Sequence, residues 1–268
     1  MVNLRQLILA DPDTLIQDLM ETNLITVPPG MDQEEAAQLL FHYDLLALPV
    51  VDEEGHLLGV ITVDDVMDVL EEEATEDIQR YGGAQPLERP YLDTPPLVIT
   101  RKRIGWLLLL FITATLTGSV IRLFQHELEA VAALAVFMPL LIGTGGNAGS
   151  QTTATIIRAL ATRDIEPWEA LGVWWHEARV GILLGLGMAV AAYIRAITWE
   201  PNHELAMTVA ASIMAVVLWA TSVGALLPLI AARVGIDPAL VSGPLMSTLV
   251  DATGLFIYFN IAAFILGV

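Results

Sequence analysis

Cysteine is absent from the 268 residues, so disulfides and thiolate metal sites are excluded. Charge is scarce: 16% of residues are charged, against about a quarter in an ordinary soluble domain. Basic residues are scarcer still in the first hundred positions, where Arg5, Arg80 and Arg89 face 21 acidic residues. Residues 101–268 carry ten acidic and nine basic residues, so the net charge of −19 belongs almost wholly to the first hundred. That asymmetry predicts two domains in different surroundings. An acidic half argues against nucleic acid or anionic lipid as its partner and for cations. The opening MVNLRQLILADPD has too short an apolar run for a signal peptide, which leaves the first half expected in the cytoplasm. His42, His56, His126, His176 and His203 show no metal-ligand spacing, and no Ser-His or His-Glu-x-x-His pattern falls within an apolar run. An enzyme is not the expectation.

Long apolar runs are abundant. Residues 104–121, 130–157 and 205–232 carry no charge, 168–198 carries His176, Glu177 and Arg179 near its start, and 239–267 is interrupted by Asp251. A membrane span needs about 20 predominantly apolar residues, so five spans are predicted. With the N-terminus inside, seven basic residues (Arg101, Lys102, Arg103, Arg158, Arg163, Arg179, Arg233) fall on the cytoplasmic side and two, Arg122 and Arg195, outside, as the positive-inside rule requires. The C-terminus is then outside. Trp168, Trp174, Trp175 and Trp199 read as interfacial belt residues.

Before the spans, LITV (24–27) is a candidate strand and 31–44 a candidate helix. ALPVVD (47–52) and LLGVIT (57–62) form a candidate hairpin about Glu53-Glu54-Gly55. Thr62-Val63-Asp64-Asp65 reads as the cap of a following helix. That acidic helix should end at Gly82-Gly83, and prolines 86, 90, 95 and 96 prevent its continuation. The order β-α-β-β-α, with LPVVDEEGHLLGVITVDDV, resembles a CBS domain.

Three constellations carry chemistry. Asp251 lies mid-span with Ser247, Thr248, Gly254 and Leu255 at helical spacing and no basic residue within a turn. A charge at that depth costs about 2.5–3.5 kcal/mol on insertion scales and normally faces a bundle interior or water. It reads as a cation-binding carboxylate or as a protonated side chain bonded to a neighbouring helix. PLLIGTGGNAGSQTTAT (139–155) combines Pro139 with Gly143, Gly145, Gly146 and Gly149. It reads as an unwound, carbonyl-exposing stretch beside Asn147, Ser150 and Gln151, or as close packing through small residues. Gly243-Pro244 can break the last span, and Asp237 can cap it or hold a cation. The acidic run from Asp64 to Asp77 is a solvated face or a divalent-ion sensor, since like charges one turn apart repel.

LLIGTGGNAGSQTTATIIRALATRD, DPALVSGPLMSTLVDATGLFIYF and ITVDDVMDVLEEEATEDI together resemble the MgtE family of magnesium channels over nearly the whole chain. The resemblance implies an α-helical membrane protein of five transmembrane helices with a small α/β CBS-like cytoplasmic domain: 1–75 CBS-like, 76–103 an acidic connecting helix and linker, 104–268 the pore domain. It implies a homodimer in the cell inner membrane, conducting hydrated Mg²⁺ inward under the membrane potential. Pore positions would be Asp251, Ser247, Gly243, Asn147, Gly145 and Gly146. Asp44, Asp65, Asp68, Glu73, Glu76, Asp77 and Asp237 match acids of a cytoplasmic Mg²⁺ sensor. Thr62 and Asp65 match ribose-contacting positions of nucleotide-binding CBS modules, so ATP is a second implied ligand. The family usually carries a helical N-domain and two CBS motifs; this chain opens at what resembles the tail of the first motif. Gly243 stands where some members place an asparagine. A proton- or sodium-coupled divalent-cation transporter is the alternative function.

Overall fold

A computed structural model describes residues 2 and 4–267, which fall into two compact units, Met1–Thr75 and Glu76–Val268. The first unit holds α1 (Leu4–Leu9), α2 (Ile16–Leu19), α3 (Gln33–His42), β1 (Ala47–Val51), β2 (Leu57–Thr62) and the start of α4 (Val63–Tyr81). Asp32 caps α3 by accepting from the Glu34 amide at 2.9 Å. β1 and β2 pair antiparallel, with Leu48 opposite Ile61 and an irregularity at Val50/Val51. In their turn, Asp52 accepts from the amides of His56 and Glu54 at 2.8 and 3.0 Å. The His56 amide is the main reason that the Asp52 carboxyl is held below its ordinary value. Val27, Ala36, Ala37, Leu40, Leu48 and Val66 form the core. The strand predicted at 24–27 is reduced to one parallel bridge, Val27 to Val50. Pro28 and Pro29 follow, and proline has no N–H with which to extend a ladder.

Thr62 starts α4 as predicted. Its hydroxyl donates to the Asp65 carboxylate at 2.7 Å, joining the cap residue to the third residue of the helix. Thr62→Ala should cost about 1 kcal/mol, read as faster hydrogen exchange in the first turn of α4.

The second unit begins within α4. That helix ends where expected: Gly83, at φ 73°, donates to the Arg80 carbonyl at 2.8 Å, and Ala84 to that of Gln79 at 2.9 Å. This paired closure needs a left-handed residue at Gly83. After the prolines come α5 (Pro96–Leu123), α6 (Gln125–Ala130), α7 (Ala133–Ala161), α8 (Ala170–Trp199), α9 (His203–Arg233) and α10 (Gly243–Leu266). Five helices are long and apolar enough to cross a membrane: Pro96–Leu123, Ala133–Ala161, Pro167–Trp199, His203–Arg233 and Gly243–Leu266. The chain is a helical membrane protein with a small α/β domain. α9 is the most buried span, and the apolar stretch of α5 has no buried residue. Leu134, Phe137, Val209, Ile213, Val216, Tyr258 and Phe259 are fully buried, and the Tyr258 hydroxyl donates to the Leu134 carbonyl at 3.0 Å. Trp168, Trp175 and Trp199 are exposed, and the Arg195 guanidinium lies 4.0 Å from the Trp199 ring centre.

Two expectations about backbone breaks are corrected. α7 is one continuous helix through the whole 139–155 stretch. Its glycines are spent on contact. A Cβ on Gly145 would lie 2.6 Å from Val216 Cγ1, and one on Gly149 3.0 Å from Met246 Cε. On α9, a Cβ on Gly224 would lie 2.7 Å from the Gly149 carbonyl oxygen. Small residues four apart let the helices approach closely, and that packing offsets the propensity cost of glycine. Gly243-Pro244, in turn, starts α10 instead of breaking it. Proline is tolerated in a first turn, whose N–H groups lack helical partners anyway. Ser242, not Asp237, caps α10: its hydroxyl oxygen accepts from the Leu245 amide at 3.3 Å and from the Trp106 indole at 3.2 Å. Asp237 caps the short 3-10 turn Pro238–Leu240, accepting from the Ala239 amide at 2.8 Å.

Candidate functional site

α7 and α10 run antiparallel in close contact. Ideal Cβ atoms on Gly145, Gly146 and Gly149 would meet Val250, Ser247 and Met246 in turn. The Ser150 hydroxyl lies 3.2 Å from the Gly243 carbonyl oxygen and 3.3 Å from the Ser247 hydroxyl. One turn beyond Ser247, Asp251 is level with the Gly143–Asn147 stretch of α7. It is half-buried, and among the described residues its carboxylate has no hydrogen-bond or ion-pair partner. No described residue neutralises it.

Gly143, Asn147, Gln151 and Thr155 succeed one another at four-residue spacing on α7, and all four are exposed. Asn147 and Gln151 therefore present amides at membrane depth, where unsatisfied polar groups are costly. A face of this kind must line water or meet another polar surface. Gly145 and Gly146, expected as pore positions, are instead buried in the helix contact. With α7 unbroken, their carbonyls are not freed for ions by unwinding.

At the start of α10 the end of α4 closes the arrangement. The Tyr81 hydroxyl donates to the Ser150 carbonyl at 2.7 Å, and burial pushes the phenol pKa up, so it remains a donor. A Cβ on Gly243 would lie 3.2 Å from Tyr81 Cζ.

The expected sensor acids separate into groups. Glu76 and Asp237 both pair with Arg80. Asp65 is engaged by Thr62, and Glu73 accepts from the Gln33 side chain at 2.9 Å. Asp44, in the left-handed region at φ 51°, and Asp68 are exposed, and Asp77 is partly buried. Among the described residues, the one group of three metal-type side chains is Asp52, Glu54 and His56, in the hairpin turn. His56 shows no metal-ligand spacing in the sequence, and the hydrogen bonds of the turn itself account for this cluster. Thr62 and Asp65, the nucleotide candidates, are occupied with each other.

The family model for MgtE, described as a divalent cation transporter, matches residues 138–261, and a CBS-domain model matches residues 16–72. Proteins called magnesium transporter MgtE are similar along nearly the whole chain. That of Thermus thermophilus is 44% identical over 265 residues, 99% of this chain and 59% of the relative. That of Bacillus subtilis is 38% identical, over 96% and 57% respectively. That of Enterococcus faecalis is 36% identical, over 98% and 57%. Residues 138–261 thus carry the membrane domain of the MgtE family, preceded by a CBS domain at 16–72. The chain spans just under three fifths of the length of these curated relatives.

The MgtE signature thus falls on the helices that carry Asp251 and the exposed amides. Sequence reasoning found Asp251 from its charge and Asn147 from its glycine-rich setting. It missed Tyr81 and Arg80, whose partners lie 69 and 157 residues away. It also gave no role to Glu177, which accepts from the Thr152 hydroxyl at 3.3 Å. A polar side chain in an otherwise apolar run was the available signal for Glu177; Tyr81 had none.

Proposed function

We propose that this chain forms a Mg²⁺ channel, with two copies meeting so that Asp251 and the amide face of α7 line a shared water-filled path. The observation that carries this reading is the Asp251 carboxylate, half-buried within an apolar helix and without a partner among the described residues. A mobile cation neutralises it at least cost. On a two-fold axis each copy would meet the other, and a divalent ion between two carboxylates relieves their repulsion. Mg²⁺ sheds water reluctantly, so the path would hold it hydrated, with Ser247, Asn147 and Gln151 offering outer contacts. The names of the relatives support Mg²⁺ as cargo.

The membrane potential supplies about 2.3 kcal/mol per charge per 100 mV, enough to drive a divalent ion inward without nucleotide hydrolysis. In this reading the N-terminus is cytoplasmic, the C-terminus is outside, and intracellular Mg²⁺ at the acidic residues of the CBS-like unit and linker favours closure. Proteoliposomes holding the protein should take up Mg²⁺ when an inside-negative potassium diffusion potential is imposed with no proton or sodium gradient. Uptake that appears only with such a gradient would establish the coupled transporter instead.

A further inference from the structure

A cavity of about 420 Å³ opens at the base of α5, walled by Arg80 on α4, by Arg101, Lys102, Gly105 and Trp106 on α5, and by Leu240 in the turn before α10. Three of the chain's 12 basic residues meet there, and none of its 31 acidic residues lines the wall. Hydrogen bonds hold the cavity in shape. The Gln85 amide donates to the Lys102 carbonyl at 3.2 Å, and the Leu87 amide to the Gln79 side chain at 2.8 Å. The Trp106 indole is pinned by Ser242 at 3.2 Å, and Gly83 lies so close to the ring that a Cβ there would overlap it. The three cations differ in what they have left to offer. Arg80 is balanced by Glu76 and Asp237. The Lys102 side chain is 20% exposed; its ammonium donates to the Pro86 carbonyl and lies 3.3 Å from the carboxylate of Glu88, which is 89% exposed. Arg101 is exposed and pairs with no described residue.

The height of the cavity in the membrane follows from α5 itself. Its charge-free stretch is 104–121, close to the length that crosses the hydrocarbon, so Arg101 and Lys102 stand at headgroup level with Trp106 just below. Beneath them the surface is apolar and open: nothing lies within 4 Å of an ideal Cβ on Gly105, and Leu108, Leu109 and Ile112 are exposed. We propose that this cavity binds an anionic phospholipid, with its phosphate on Arg101 and Lys102 and one acyl chain descending past Gly105 along Leu108 and Ile112. A guanidinium matches a phosphate with paired donors, and a basic pocket at the end of a span suits an anionic headgroup. A soluble anion would use the cations and leave the apolar floor unused; a phospholipid uses both. The phosphate is held from residues 101 and 102, outside the acidic first hundred. The site does not depend on the pore reading, and a lipid seated in it would tie the loop after α4 to the first span.

The test is native mass spectrometry of the full chain in detergent with equal amounts of dioleoyl phosphatidylglycerol and dioleoyl phosphatidylcholine. Wild type should retain phosphatidylglycerol in preference. Arg101→Gln should weaken that retention at least about tenfold, the factor that one charge-assisted hydrogen bond carries, and Arg101→Lys should keep most of it. Gly105→Leu, which leaves every charge in place and fills the way of the acyl chain, should weaken it as well. Arg103→Gln, on an exposed neighbour outside the cavity, should leave it unchanged. Without added lipid all four variants should unfold at the wild-type temperature, because the side chains replaced are exposed and Gly105 faces open space. Equal retention of the two lipids overturns the proposal. So does an equal loss in Arg101→Gln and Arg103→Gln, which would mean diffuse attraction to a basic belt. Full retention in Gly105→Leu, or displacement of the lipid by glycerol phosphate at the same concentration, would assign the cations to a soluble anion instead.

Discussion

Asp251→Asn should reduce Mg²⁺ uptake about 100-fold while leaving the protein folded. Asparagine has nearly the size and shape of aspartate, and the carboxylate has no partner to lose among the described residues. What disappears is the negative charge that holds the ion. A charge-assisted contact is worth about 1.5–3 kcal/mol, and about 1.4 kcal/mol is a factor of ten, so one such contact accounts for the expected drop. Thermal stability in detergent should be unchanged or slightly higher, because an uncharged side chain costs less to hold among apolar neighbours. A variant that loses uptake and stability together would recast Asp251 as a structural residue. A variant that keeps both would mean the carboxylate does not touch the ion.

Gly145→Val should be among the most damaging substitutions in the spans. Its first added carbon alone would lie 2.6 Å from Val216 Cγ1 and 2.8 Å from Val250 Cγ1, and both valines are fully buried. Overpacking of a tight core costs about 1–3 kcal/mol, and valine brings two further methyl groups to a contact already too close. The expected result is a lower unfolding temperature and aggregation on size-exclusion chromatography. Gly143→Ala provides the contrast on the same helix. Nothing lies within 4 Å of its ideal Cβ, so replacing glycine should be neutral or stabilising by up to about 1 kcal/mol. If the stretch were unwound in the membrane, the two substitutions would not separate in this way.

That contrast also marks where sequence reading stops. Periodicity and turn chemistry identify the hairpin turn at 51–57, the Thr62 cap and the Gly83 closure because each depends on residues within six positions of one another. The five spans are legible because the cost of charge in lipid depends only on local composition. Whether a run of glycines unwinds or packs depends on Val216, Val250 and Met246, which lie on other helices. Asp237 poses the same difficulty. Its spacing allowed it to cap α10, but Ser242 is nearer to the first turn, and Asp237 serves the 3-10 turn and Arg80 instead. Tyr81, beside Gly82-Gly83, has the look of any helix end, and its role becomes visible only once α7 and α10 are seen to converge on it.

α5 has no buried residue along its apolar stretch, so by composition it could rotate freely in lipid. The shared Ser242 hydroxyl forbids that. Because the Trp106 indole donates to the same oxygen that accepts from the Leu245 amide, turning the first span would take a second donor from the residue that caps the last one. The outermost helix is thus indexed to the one that carries Asp251, and an apolar substitution at Trp106 would disturb a helix more than a hundred residues downstream.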